Sequence, residues 1–145
     1  VNALTVGHEI GARGVVLHTG SHHGAGLAPF VDRVAEALRR ILGTTPEETI
    51  LALETMAGQG GSIGREFDEL GTLLSAVDSP RLRVCLDTCH TLAAGYELRT
   101  VEGVAETMRT FDAAIGVQHL AVAGNERNLE RGVGKIDVLG LAQEL

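Results

Sequence analysis

A chain of 145 residues, 44% of them hydrophobic, can enclose one ordinary core and is thin for two. The formal net charge of -7 argues against general attraction to nucleic acid, so a phosphate-binding role needs local basic groups or bound cations. No apolar run is long enough to span a bilayer and no secretory signal opens the chain. Cys85 and Cys89 lack a second pair to complete a structural zinc site, so a reduced cytoplasmic setting is expected.

The first residues, around His8, carry a helical pattern. "GVVLH" (14–18) reads as a short apolar strand, followed by the Gly- and Ser-rich loop "HTGSHHGAG". In "LAPFVDRVAEALRRIL" (27–42), Leu27, Val31, Val34, Leu38 and Leu42 form one helical stripe, with Asp32, Arg33, Glu36 and Arg40 opposite. Thr45-Pro46-Glu47-Glu48 has the pattern of a capped helical turn, with Pro first. "TILALE" (49–54) is a second apolar strand ending in an acid. A glycine-rich loop, "MAGQGGSIG", and a helical pattern through Phe67, Leu70, Leu74 and Val77 follow it. "RLRVCLD" (81–87) repeats the arrangement of apolar run, acid and loop, then a helix from about Thr100 through Val104, Met108 and Phe111. "GVQHLAV" (116–122) is the fourth strand candidate.

Apolar strands alternating with helical segments predict a parallel sheet with helical crossovers. The first strand is not followed by Gly-x-Gly-x-x-Gly, which gives no support to a dinucleotide fold, and no low-complexity linker divides residues 1–145. The four strands end in, or carry near their ends, His18, Glu54, Asp87 and His119. In parallel α/β folds, ligands gather at the C-terminal edge of the sheet, and mixed carboxylate and imidazole donors suit Zn, Mn or Fe better than Ca or Mg. Each residue alone has an ordinary reading as a cap, an ion pair or a satisfied core group. Four at equivalent places favour one shared site. The loops can bring backbone N–H groups close to an anion, or serve as simple turns. His22 and His23 are expected to be exposed in the first loop. Cys85 reads as a small core filler, and Cys89 as packing rather than a ligand.

The segments "HTGSH", "ALETMAGQGGSIG" and "CLDTCHTLAAGY" resemble, in order and spacing, the signature segments of the endonuclease IV family. The resemblance is strong over residues 10–98 and weaker to about 137. It implies parallel βα units of a TIM barrel related to xylose isomerase, about half a barrel with roughly four strands and five helices. It also implies zinc as cofactor, up to three ions, with manganese as the alternative. His18, Glu54, Asp87, His90, His119 and Glu126 would be metal ligands, and Glu54, bridging two metals, the catalytic residue. This sequence departs from the family at Thr19, where Pro is usual, at Ala121-Val122 in place of Asn-Asp, and at Asn128 in place of a His ligand. Neutral Asn is a poor zinc ligand, which leaves the third metal position short.

The family's activity implies metal-assisted hydrolysis of a phosphodiester 5′ to an abasic site in double-stranded DNA, with the damaged nucleotide turned out of the stack. The family enzyme is longer, with a histidine ligand and most DNA-penetrating loop residues upstream and a glutamate ligand downstream, so chain ends lying within helical patterns read as a fragment. A xylose-isomerase-like sugar isomerase or epimerase and a non-catalytic remnant stand as alternatives. A half-barrel also leaves sheet edges unpaired and inner positions such as Val84 and Leu86 uncovered, which predicts either a homodimer through the exposed barrel edges or a poorly soluble, only partly ordered chain.

Overall fold

The computed structural model describes residues 1–121. A first helix, α1 (Asn2–Glu9), leads into β1 (Gly14–Leu17), α2 (Val31–Gly43), β2 (Ile50–Glu54) and α3 (Phe67–Val77). Then come β3 (Leu82–Cys85), α4 (Thr88–Ala94) and α5 (Val101–Ala114). The strands are all parallel, in the order β1-β2-β3, with Leu17 beside Leu53 and Glu54 beside Cys85. Parallel neighbours need long crossovers, and α2 and α3 supply them, making two successive βα units. No helix among the described residues is long and apolar enough to cross a membrane.

The two faces of the sheet differ because side chains alternate along each strand. Leu51, Leu53, Leu82 and Val84, none more than 3% exposed, face the helices and join Phe67, Leu70 and Phe111 in the core. The opposite face carries Ala52, Glu54, Arg83, Cys85 and Asp87. This reverses the expectation for Val84 and Leu86. Once Asp87 faces inward, a period of two turns both leucine and valine toward the helices, and Val84 is 0% exposed. The inner face is therefore mostly small or polar, with Ile50 half-buried beside Gly14 and Val16, on edge strand β1, 46% exposed. Val84 and Leu86 therefore add nothing to an apolar inner surface.

Two sequence expectations resolve into turns. Thr45-Pro46 starts no helix: the Thr49 N–H bonds the Pro46 carbonyl at 3.3 Å, and Thr45 Oγ1 donates back to Ile41 at 2.9 Å, closing the end of α2. The fourth strand candidate begins as a 3-10 turn, Val117–His119. Gly116, at φ 84°, breaks away from α5, and the Asp112 carboxylate takes the Val117 N–H at 2.9 Å, so these residues redirect the chain. Only then does Leu120 form a parallel bridge to Val84. The described residues thus hold three strands and five α-helices where four strands were expected.

The helix α4 occupies a segment read as a loop. Asp87 caps it by accepting the His90 N–H at 2.8 Å, and Gly95 ends it at φ 112°. Tyr96 then stacks on Phe67, ring centroids 4.1 Å apart, and its hydroxyl accepts the Phe67 N–H at 3.3 Å.

Candidate metal centre

Parallel register brings the expected ligands to one edge. Leu17 lies beside Leu53, so His18 falls beside Glu54, and Asp87 follows two residues after Cys85 on the same face. The side chains meet. Glu54 Oε2 lies 2.5 Å from His18 Nε2, and Glu54 Oε1 lies 3.7 Å from His90 Nδ1. Asp87 Oδ1 is 4.0 Å from the same nitrogen, and one donor atom from each of Glu54, Asp87 and His90 lies within 4.8 Å of the others.

Glu54 is only 9% exposed, and among the described residues neither it nor Asp87 pairs with Lys or Arg. Two adjacent carboxylates whose side-chain partners among the described residues are imidazoles form a donor set that suits a divalent ion, and the N/O mixture fits Zn or Mn. Cys85, beside Glu54, is a poor candidate ligand. Burial pushes its thiol up, and the charges of Glu54 and Asp87 add to the effect, so it stays protonated at neutral pH. Cys89 is exposed.

The His90 ring carries more information than its distances. Its Nδ1 lies 3.0 Å from the Thr55 carbonyl oxygen. A carbonyl only accepts, so Nδ1 holds the proton and Nε2 the lone pair. The nitrogen facing the two carboxylates is then the protonated one. Distance alone groups all three residues; the tautomer turns the His90 lone pair away from Glu54 and Asp87, to the far side of the ring.

Not every expected ligand joins them. Leu120 pairs with Val84, which sets His119 level with Arg83, four residues short of Asp87 or about 13 Å along the strand. His119 sits on the 3-10 turn, and its buried Nδ1 has no hydrogen-bond partner among the described residues. Glu126 and Asn128 lie outside the described residues.

The whole chain, residues 1–145, matches the family model described as xylose isomerase-like TIM barrel, AP endonuclease 2. The chain belongs to that family. Within the AP endonuclease 2 family it is 41% identical over 128 residues to the probable endonuclease 4 of Staphylococcus aureus strain JH9, and equally to that of strain Newman. These matches cover 87% of this chain and 42% of each relative. The fold is similar to the crystal structure of endonuclease IV from Thermus thermophilus, with TM-score 0.62 and 32% identity over 81% of this chain and 40% of that one. The chain thus spans about two fifths of the length of these relatives. Its open three-stranded sheet is part of an AP endonuclease 2 barrel.

The two glycine-rich loops of this family member are locked to each other. Ser21 bridges Ser62, the His22 N–H bonds Gly61, and the Ile63 N–H bonds Gly20. His22 is not exposed as expected, its side chain being 16% accessible. Its Nδ1 accepts the N–H groups of Gly24 and Gly26 at 3.1 and 3.2 Å, and Nε2 lies 3.6 Å from Glu69. Glu69 in turn accepts the Gly64 N–H at 2.9 Å. Many amides that could have cradled an anion are spent on loop closure. Sequence reasoning also passed over Thr55 and Thr91, both 1% exposed, which tie the end of β2 to the start of α4. Thr55 follows the key acid directly, and that adjacency was the available signal.

Proposed function

We propose that this chain carries part of the active site of a metal-dependent phosphodiester hydrolase of the endonuclease IV type, acting on double-stranded DNA 5′ to abasic sites. The observation that carries this reading is the Glu54–Asp87–His90 cluster at the C-terminal edge of the sheet. It occurs in a chain whose relatives are named endonuclease 4, which favours the nuclease over the sugar isomerase. Zinc is the proposed ion and manganese the alternative, held by Glu54 and Asp87 with His18 and His90 at either side. Such ions supply Lewis acidity and a lowered pKa for water.

The residues themselves do the holding. Glu54 stands between His18 and the Asp87–His90 pair, so both of its oxygens already face donors. That makes it the residue best placed to bridge two ions. Asp87 uses Oδ1 to cap α4, leaving Oδ2 to face an ion.

The test is zinc content and incision of a duplex with one abasic site, compared with an intact duplex. Zinc should bind to the wild-type chain and be lost from Glu54→Gln, and incision should fall by orders of magnitude with it. Zinc retained in full by Glu54→Gln, or incision indifferent to that change, would overturn the reading.

A further inference from the structure

Thr55 makes two contacts across the strand gap at once. Its hydroxyl oxygen accepts the Asp87 N–H at 2.9 Å, while its carbonyl accepts the His90 Nδ1–H at 3.0 Å. Thr91 completes the arrangement. Thr91 Oγ1 donates to the Asp87 carbonyl at 2.7 Å, so its hydrogen is spent. The single Thr55 hydrogen then has two acceptors in reach, Thr91 Oγ1 at 3.3 Å and the Asp87 carbonyl at 3.4 Å. By either route the bonds close on Asp87: its N–H goes to the Thr55 oxygen, and the Thr55 and Thr91 hydroxyls lead back to its carbonyl, directly or through each other. Both hydroxyls are buried, so water is a poor substitute for either.

We infer that Thr55 is the positioning residue that decides through which nitrogen His90 ligates. The hydroxyl clamps the first turn of α4 against β2. That brings the His90 ring to the Thr55 carbonyl, keeps the proton on Nδ1 and leaves Nε2 as the ligating atom. Without the hydroxyl, Asp87 loses its N–H partner and the turn is free to shift. The ring can then take the other tautomer and aim the Nδ1 lone pair at the carboxylates, merging two metal positions into one. This inference rests on the metal-centre reading above. It goes further in naming a residue that touches no ion yet selects the donor atom.

The experiment compares wild type, Thr55→Val and Thr55→Ser. The first readout is the 15N spectrum of the His90 side chain in metal-free protein at pH 8; the second is zinc affinity by competition with a chelating dye. Wild type and Thr55→Ser should show the Nδ1–H tautomer, and Thr55→Val a mixture or the Nε2–H form. Zinc affinity should fall ten- to a hundredfold in Thr55→Val, a range usual for lost outer partners of metal ligands, and recover in Thr55→Ser. Should the valine variant fail to fold, the serine variant decides alone. A folded Thr55→Ser with altered tautomer and weakened zinc would put the methyl group in control and overturn the inference. So would a Thr55→Val chain with unchanged ring signals. A wild-type chain that binds no zinc refutes the metal-centre reading instead, and the metal-free spectrum still tests the clamp.

Discussion

Replacing Asp87 by Asn separates two duties that the wild-type side chain combines. As an N-cap the two residues are about equal, because either can accept the His90 N–H; Asp87→Ala loses that bond at a cost of about 1 kcal/mol. The charge is a different matter. Donor atoms of Asp87 and Glu54 lie within 4.8 Å of each other. At that separation two negative charges repel by about 1 kcal/mol in water and by about 3 kcal/mol at an effective dielectric constant near 20. The Asp87 side chain is 34% exposed, which favours the lower end. Losing a negative charge from the start of α4 costs about 0.5 kcal/mol against the helix dipole. At pH 8, above the ordinary titration range of imidazole, metal-free Asp87→Asn should therefore be as stable as wild type or more so, by up to about 1 kcal/mol. Asp87→Ala should lie about 1 kcal/mol below Asp87→Asn, or about 4 °C in Tm. Saturating zinc should reverse the order, since a ligand at about a hundred times its Kd adds about 2.7 kcal/mol to the form that binds it. Thermal melts in chelator and in excess zinc read both halves. A metal-free Asp87→Asn melting well below wild type, or gaining as much from zinc, would refute the argument that these carboxylates form a cation site.

Gly71→Ala tests the seam between α3 and α5: a methyl there would overlap the Ala114 carbonyl oxygen, and the overpacking cost of about 1–3 kcal/mol should outweigh the roughly 1 kcal/mol gained in helix propensity. A urea melt showing net stabilisation would mean the two helices have room to part. For Tyr96, burial pushes the phenol above its usual value of 10.0, so its contribution is complete below about pH 10 and is lost as pH rises through the folded-state value. Tyr96→Phe should cost about 1 kcal/mol at neutral pH, through the lost Phe67 contact, and flatten the fall of Tm between pH 9 and 11. The slope that remains has the sign expected of the raised Cys85 thiol.

What the residues disclosed, and what they hid, follows from length scale. His18, Glu54 and Asp87 were legible because each ends an apolar run, and a parallel sheet carries all such ends to one edge. The stripe on α2 was legible because thirteen residues give a helical period room to show. The seven residues of α4 did not; its cap at Asp87 and stop at Gly95 were present, but a motif rich in potential ligands drew attention away from them. The inner face of β3 was misassigned although Asp87 already set the alternation. His22 illustrates a different limit. Nothing local tells an exposed loop histidine from one whose outer ring nitrogen meets Glu69, on the distant helix α3. His119 shows a third, since a glycine and an aspartate can spend the first residues of an apparent strand on a turn.

Arg81 lies at the other end of the sheet, just before β3. Its guanidinium donates to the carbonyls of Leu42, Pro46 and Thr49 and to the Thr45 hydroxyl, at 2.5–3.2 Å. One planar fork thereby fastens the end of α2, the following turn and the start of β2, a geometry that lysine cannot copy. The fastening shares no atom with the acids and imidazoles at the opposite rim. Substitutions in the rim loops can therefore alter what the chain binds while the strand order stays pinned from below. An engineer wishing to graft new ligands onto these loops has a fixed floor to build on.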